Sequence, residues 1–118
     1  MPLDRDRATL LDLTVASQRV LEFIGDQSFE SFAQDLKTQS AVVLQILILG
    51  EAAKRLSSGF RDRHPEIPWS DIMRMRDKLI HHYEGIDPGE IWQAAREDIP
   101  ALLGFLEKAQ REEQTKTD

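Results

Sequence analysis

Residues 41–49 read Ala-Val-Val-Leu-Gln-Ile-Leu-Ile-Leu, apolar at every position but Gln45. A continuous apolar run of this length suits either a buried strand or the buried part of a helix. Its β-branched residues favour the strand, but no second segment of the chain has the composition to pair with it. A lone strand would leave its backbone donors and acceptors unpaired in the interior. The run therefore reads as the buried part of a long helix reaching Leu56. Being apolar on nearly every side, it is expected to pack in several directions at once, a subunit interface included.

The rest of the chain also reads as helix. From about Arg7 to Ile24, Leu10, Leu13, Val20 and Ile24 form one amphipathic stripe that stops at Gly25. Ser28 is a plausible N-cap for a second helix, with Glu30 in its first turn and Phe29, Phe32 and Leu36 on its apolar face. Gly50, inside the long helix, costs about 1 kcal/mol relative to alanine. A close approach of another helix would account for it, as would a tolerated kink. Glu51 and Arg55 stand four apart in the order that favours a surface ion pair. Ser57-Ser58-Gly59 ends this helix, and the following loop carries His64, expected to be solvated and to take no part in chemistry.

Pro68-Trp69-Ser70-Asp71 opens a third helix, expected to end near Tyr83 or Glu84, ahead of Gly85. The last helix begins with Asp87 as N-cap, Pro88 next and Glu90 closing a capping box. Its stripe runs Ile91, Ala95, Ile99, Leu102, Leu103 and Leu106. Pro100 should bend it by removing an interior hydrogen bond. Residues 110–118 are polar and expected to fray. These segments predict an all-α fold: one domain over residues 1–118, an antiparallel four-helix bundle.

The chain has 118 residues and no cysteine, so disulfides and thiolate metal sites are excluded. A reducing cytoplasm fits this, and the first residues lack the cationic-then-apolar order of a signal peptide. No uninterrupted apolar run has the roughly 18 residues of a membrane span. The net charge of −6 argues against a general nucleic-acid platform. Residues 54–82 nonetheless carry seven Lys/Arg against four Asp/Glu, so an anion-binding patch can exist inside an acidic protein.

That basic region contains residues 73–83, Met-Arg-Met-Arg-Asp-Lys-Leu-Ile-His-His-Tyr, with two of the three histidines and the only tyrosine. On a helix, Ile72, Met73, Leu79, Ile80 and Tyr83 fall to one side, and Arg76 sits in the middle of them. An unpaired guanidinium is costly in an apolar stripe. Either it meets a carboxylate, or the stripe lines a cleft or interface where an anion binds. Arginine can clamp a phosphate by paired hydrogen bonds, and histidine can move a proton near neutral pH. RNA supplies its own nucleophile, the 2′-hydroxyl, so such a pair suffices in principle for cleavage without a metal. A structural arginine and a helix-end histidine is the plainer alternative. Arg76 and His81 are five apart and point about 140° away from each other on a straight helix. They converge only if the helix unwinds near His81 or if a second subunit supplies the other half. His81 and His82, being adjacent, make a poor two-point ligand for one metal.

Arg76-Asp-Lys-Leu-Ile-His81-His-Tyr83 resembles the Arg-polar-x-x-x-His-x-Tyr signature of HepT-like proteins in the HEPN superfamily. The resemblance extends to Phe32-Ala-Gln-Asp35, Gly50-Glu51-Ala52 before Lys54-Arg55-Leu56, Ile67-Pro68-Trp69, and Tyr83 to Asp87 before Ile91-Trp92. It implies a HEPN-type four-helix bundle, with or without an extra short helix, that forms a homodimer or higher oligomer with the motifs facing each other. It also implies a type VII toxin, a cytoplasmic endoribonuclease needing neither metal nor cofactor. Its partner would be a small MNT-type nucleotidyltransferase antitoxin that adenylylates the motif tyrosine. By position, Arg76 and His81 would be the catalytic pair, Asp77 a supporting residue and Tyr83 the modified one. Asparagine is frequent at the place of Asp77, and an aspartate there weakens the local positive potential. The competing function is a non-catalytic, nucleotide-binding or scaffold subunit paired with the same kind of nucleotidyltransferase.

Overall fold

The computed structural model describes residues 2–117, with the side chains of residues 2–4, Tyr83, 116 and 117 outside the description. The described residues form helices and no strand: α1 (Pro2–Ile24), α2 (Phe29–Ala33), α3 (Leu36–Arg55), α4 (Ser58–Arg63), α5 (Trp69–His82), α6 (Pro88–Gln93) and α7 (Ile99–Thr117). A 3₁₀ turn, Tyr83–Gly85, follows α5, and a π turn, Ala94–Asp98, joins α6 to α7 in one continuous rod. The four long rods pack in the order α7, α1, α3, α5, with α6 reaching over α3 and α2. This is the all-α bundle expected from the sequence, with two short helices, α2 and α4, in its connections.

The apolar stripe of α1 is buried as expected, Leu10, Leu13, Ala16, Val20 and Ile24 all facing the core. Thr14 and Ser17 sit buried among them because their hydroxyls donate to the Leu10 and Leu13 carbonyls, each at 3.0 Å. Gly25 ends α1 at a φ of 47°, the left-handed cap conformation that glycine adopts without strain. Arg96 then ties this corner down, stacking 4.7 Å from the Trp92 ring and donating to the Gly25 and Gln27 carbonyls.

Residues 41–49 are helical, within α3. By length and composition α3 is the one helix among the described residues apolar enough to cross a membrane. Here it is wedged between α1 and α5, and Val42, Ile46, Leu49, Ala52 and Ala53 are buried. Its start is later than the sequence suggests. Asp35 breaks the chain after α2 and caps α3, accepting from the Thr38 amide at 3.0 Å and its hydroxyl at 2.6 Å. Those bonds, with one from Gln27, hold the Asp35 carboxyl down at about 2. Leu36, placed on an apolar face by the sequence, is largely exposed as a result.

The expected loop after Ser57 is partly helix. The Ser57 hydroxyl accepts from the Phe60 amide and starts α4, while Asp6 of α1 takes the Ser57 amide at 3.0 Å and hydroxyl at 2.6 Å. The Pro100 region differs too. Ile99 donates to the Ala94 carbonyl five residues back, so the rod widens into a π turn just ahead of the proline. Glu90 leaves the expected capping box and pairs with Lys78 at 2.8 Å, while Asp87 alone caps α6 through the Gly89 amide.

Two expectations are overturned at the other end of the molecule. The tail expected to fray from Gln110 is helical to Thr117, and Glu113 within it is 1% exposed. His64 is not solvated. It caps the end of α4, is 1% exposed, lies 4.7 Å from the Phe60 ring and places Nε2 2.8 Å from the Glu113 carboxylate. Arg63 adds a second bond to Glu113 at 3.0 Å, Arg7 donates to its backbone carbonyl, and Trp69 Nε1 donates to the His64 carbonyl. The tail holds because a buried carboxylate needs these partners and they need it.

Candidate functional site

Arg76 lies where α5 crosses α3, and the reason is Gly50. A Cβ added at Gly50 would fall 2.1 Å from the Arg76 Cβ and 2.5 Å from its Cγ. Only a hydrogen at position 50 lets the two helices approach this closely. The close approach, rather than a kink, explains the glycine. It brings the next residue, Glu51, to the Arg76 guanidinium, which also bonds Asp77 at 3.0 Å. Asp77 in turn takes Lys54, one turn further along α3, at 2.8 Å. Glu51 therefore does not pair with Arg55, which reaches Asp12 of α1 instead at 3.4 Å.

The result is a quartet of two cations and two carboxylates. Its bond to Asp77, then Glu51, raises the Arg76 pKa, and Lys54 followed by Arg76 lowers that of Asp77. Of the sequence alternatives for Arg76, the carboxylate is what the chain supplies. The Arg76 side chain is 24% exposed, and its Nε is buried without a partner. A phosphate would reach the outer edge of the fork by displacing Glu51, whose side chain is half exposed. Glu51, the more exposed of the two, is the partner that solvent can separate from the pair.

His81 sits near the other end of α5 and is exposed. It lines a cavity of about 500 Å³ with His82, Met75, Leu79 and Ile86, above the 3₁₀ turn. The helix is regular through His82 and tightens only at Tyr83. Arg76 and His81 are thus separated by about 140° of rotation and roughly 7.5 Å of rise. One chain does not bring them together by unwinding at His81. The Tyr83 side chain, expected beside Arg76, lies outside the described residues. Asp77 is present as a partner of both Arg76 and Lys54, a role visible only once α3 and α5 are docked.

On the outer face of this crossing the apolar side chains continue into solvent. Leu44 is 54% exposed and Ile80 39% exposed. Leu44 and Ile48 precede Glu51 by seven and three residues and share its side of α3, and Ile80 stands one turn beyond Arg76 on α5. Apolar surface therefore adjoins the charged quartet on this side.

The chain is similar to known proteins along most of its length. The family model described as "Ribonuclease HepT-like" matches residues 13–109, a span that includes both α3 and α5. A Thermococcus cleftensis protein named "Probable ribonuclease HepT" is 45% identical over 102 residues, covering 86% of this chain and 93% of its own. A "Putative RNase" of Methanocaldococcus jannaschii is 39% identical over 108 residues, covering 92% of this chain and 89% of its own. No solved structure gives a significant match. With the match running from α1 into α7 and the Arg76 crossing inside it, the chain belongs to the HepT-like ribonuclease family.

Proposed function

We propose that this protein is the toxin of a type VII toxin–antitoxin pair, a cytoplasmic, metal-independent endoribonuclease that works as a homodimer. Arg76 of one subunit would neutralise charge developing on the scissile phosphate. His81 of the facing subunit would transfer the proton between the 2′-hydroxyl and the leaving oxygen. The observation that carries this reading is the Arg76 crossing itself, set in a family whose relatives are named as ribonucleases. The guanidinium is fixed in place, its outer partner is displaceable, and Leu44 and Ile80 beside it offer an apolar surface of the kind subunits bury. A two-fold axis through that surface supplies the convergence that one regular helix lacks. In the same reading an MNT-type nucleotidyltransferase adenylylates Tyr83, placing a new phosphate on the RNA path.

A second reading is favoured by the pairing of Arg76 with both Glu51 and Asp77. In a non-catalytic scaffold subunit this neutral quartet would hold a nucleotide phosphate weakly or serve only to fix the crossing. Incubating pure protein with RNA and chelator separates the two. Cleavage should be present, should fall about 10²–10⁴-fold in His81→Ala, and should fail in Arg76→Lys, which lacks the planar fork. Parent-like cleavage by His81→Ala would remove the catalytic assignment, and an inactive parent would leave the scaffold reading standing. Adenylyl mass on the parent but not on Tyr83→Phe, after treatment with the cognate nucleotidyltransferase, ATP and Mg²⁺, tests the control step.

A further inference from the structure

The buried knot around His64 contains one atom that the fold leaves unserved. The ring is held through Nε2, 2.8 Å from the Glu113 carboxylate, which is itself fixed by Arg63. In a neutral imidazole that bond puts the proton on Nε2, so Nδ1 carries a bare lone pair. Nδ1 is buried and has no hydrogen-bond partner. It faces two further carboxylates, with Glu112 Oε2 at 3.4 Å and Glu66 Oε1 at 3.8 Å. A lone pair aimed at two anions is unfavourable unless something positive stands between them.

We propose that His64 Nδ1, Glu66 and Glu112 bind a first-row divalent cation of the zinc class. The chemistry of the donors fits, since imidazole nitrogen with carboxylate oxygen suits Zn²⁺, Co²⁺ and Mn²⁺. The spacing fits as well. Bonds of about 2.0–2.2 Å in a tetrahedron place neighbouring donors roughly 3.3–3.6 Å apart. The three ligand atoms already lie within 4.8 Å of one another. The remaining closure falls on Glu66 and Glu112, whose side chains are 32% and 44% exposed, Glu112 also standing 3.9 Å from Lys108. Glu113 completes the pattern from behind, the carboxylate that orients a metal-binding histidine through its other nitrogen.

Local charge points the same way. Glu66 and Glu112 approach Nδ1 while Glu113 holds Nε2, with Arg63 and Arg7 on Glu113 and Lys108 at 3.9 Å from Glu112. A divalent cation at Nδ1 would offset the mutual repulsion of the Glu66 and Glu112 carboxylates on that side of the ring. It would bind the α4–α5 connection, which supplies His64 and Glu66, to α7, which supplies Glu112. Three protein ligands leave a fourth position for water, open on the half-exposed side. The site shares no residue with Arg76, His81 or Tyr83, and it is a structural clamp rather than part of RNA cleavage. Its ligands are invisible as a motif because 46 positions separate Glu66 from Glu112.

The test uses the full chain stripped with chelator and dialysed at pH 7.5, then titrated with Co²⁺ or Zn²⁺. One Co²⁺ per chain should bind saturably with a visible absorption band, and Zn²⁺ should compete it away. Zn²⁺ at a hundredfold over its Kd should raise Tm by roughly 10 °C. Glu66→Gln and Glu112→Gln, both partly exposed, should keep the metal-free Tm and weaken binding at least about tenfold. His64→Gln should abolish binding. Absence of stoichiometric Co²⁺ binding would overturn the proposal, as would parent-like affinity in both glutamine variants. So would stabilisation that appears only on acidification and not with metal, because a proton on Nδ1 would then be the missing charge.

Discussion

Replacing Gly50 by alanine should lower stability, although alanine is the better helix former. In a solvated helix the change would gain about 1 kcal/mol. At position 50 the new methyl would sit 2.1 Å from the Arg76 Cβ and 2.5 Å from its Cγ, with the Arg76 Cα 3.4 Å away. A rotamer change moves Cγ but not Cβ, which is fixed by the α5 backbone. The helices must therefore part by about 1.5 Å to restore ordinary contact. Overpacking of this kind costs typically 1–3 kcal/mol. With backbone behind the clash the upper end applies, so the net loss is about 2 kcal/mol and Tm falls by roughly 8 °C. Gly104 is the internal control, since a Cβ there meets nothing within 4 Å. Gly104→Ala should raise Tm by up to about 4 °C. Urea and thermal unfolding followed by circular dichroism measure both. If the two variants shift Tm in the same direction, the close crossing is not what selects Gly50.

Three other expectations follow from the same packing. His64→Ala should cost roughly 3 kcal/mol by urea unfolding, because it leaves Glu113 buried without its ring partner. A loss under about 0.5 kcal/mol would mean the ring contributes little beyond filling space. The Asp35 carboxyl is held at about 2, below its ordinary 3.8, so its contribution is present above pH 4 and is lost as pH falls towards 2. Asp35→Asn should flatten that part of the Tm–pH curve, and an unchanged acid slope would refute the assignment. Asp77→Asn removes a carboxylate from the Arg76 guanidinium and should raise RNA cleavage a few-fold. A fall would show that Asp77 positions Arg76 more than it screens it.

What the sequence revealed depended on how local the cause was. Ser28, Gly25 and Asp87 could be read because a cap or a stop acts within three or four residues. Asp35 was hidden because Phe32 and Leu36 continue the spacing of one helix across the break. Glu51 was misleading for the same reason: Arg55 is its neighbour along the helix, and only the Gly50 crossing makes Arg76 the nearer cation. Arg76 stood out as a charge within an apolar stripe, yet Glu51, the partner that ties it to α3, lies on another helix and cannot be inferred from the spacing of α5. His64 gave no sign at all. It lies in the connection between α4 and α5 beside two prolines, and its buried partner is Glu113, 49 residues away.

The π turn at Ala94–Asp98 acts as a phase adjuster for the second half of the last rod. Ile91, Ala95 and Ile99 are buried at two successive intervals of four, which in a uniform α-helix would drift about 80° around the axis. The wider turn absorbs that drift, so Leu102, Leu106, Ala109 and Glu113 emerge on the side that faces α1 and His64. The turn therefore behaves like a single inserted residue held in place by Pro100. Deleting one residue there would leave a smoother helix and rotate everything beyond it by about 100°. Glu113 would swing off His64, and the cost of a change in one turn would be felt four turns away.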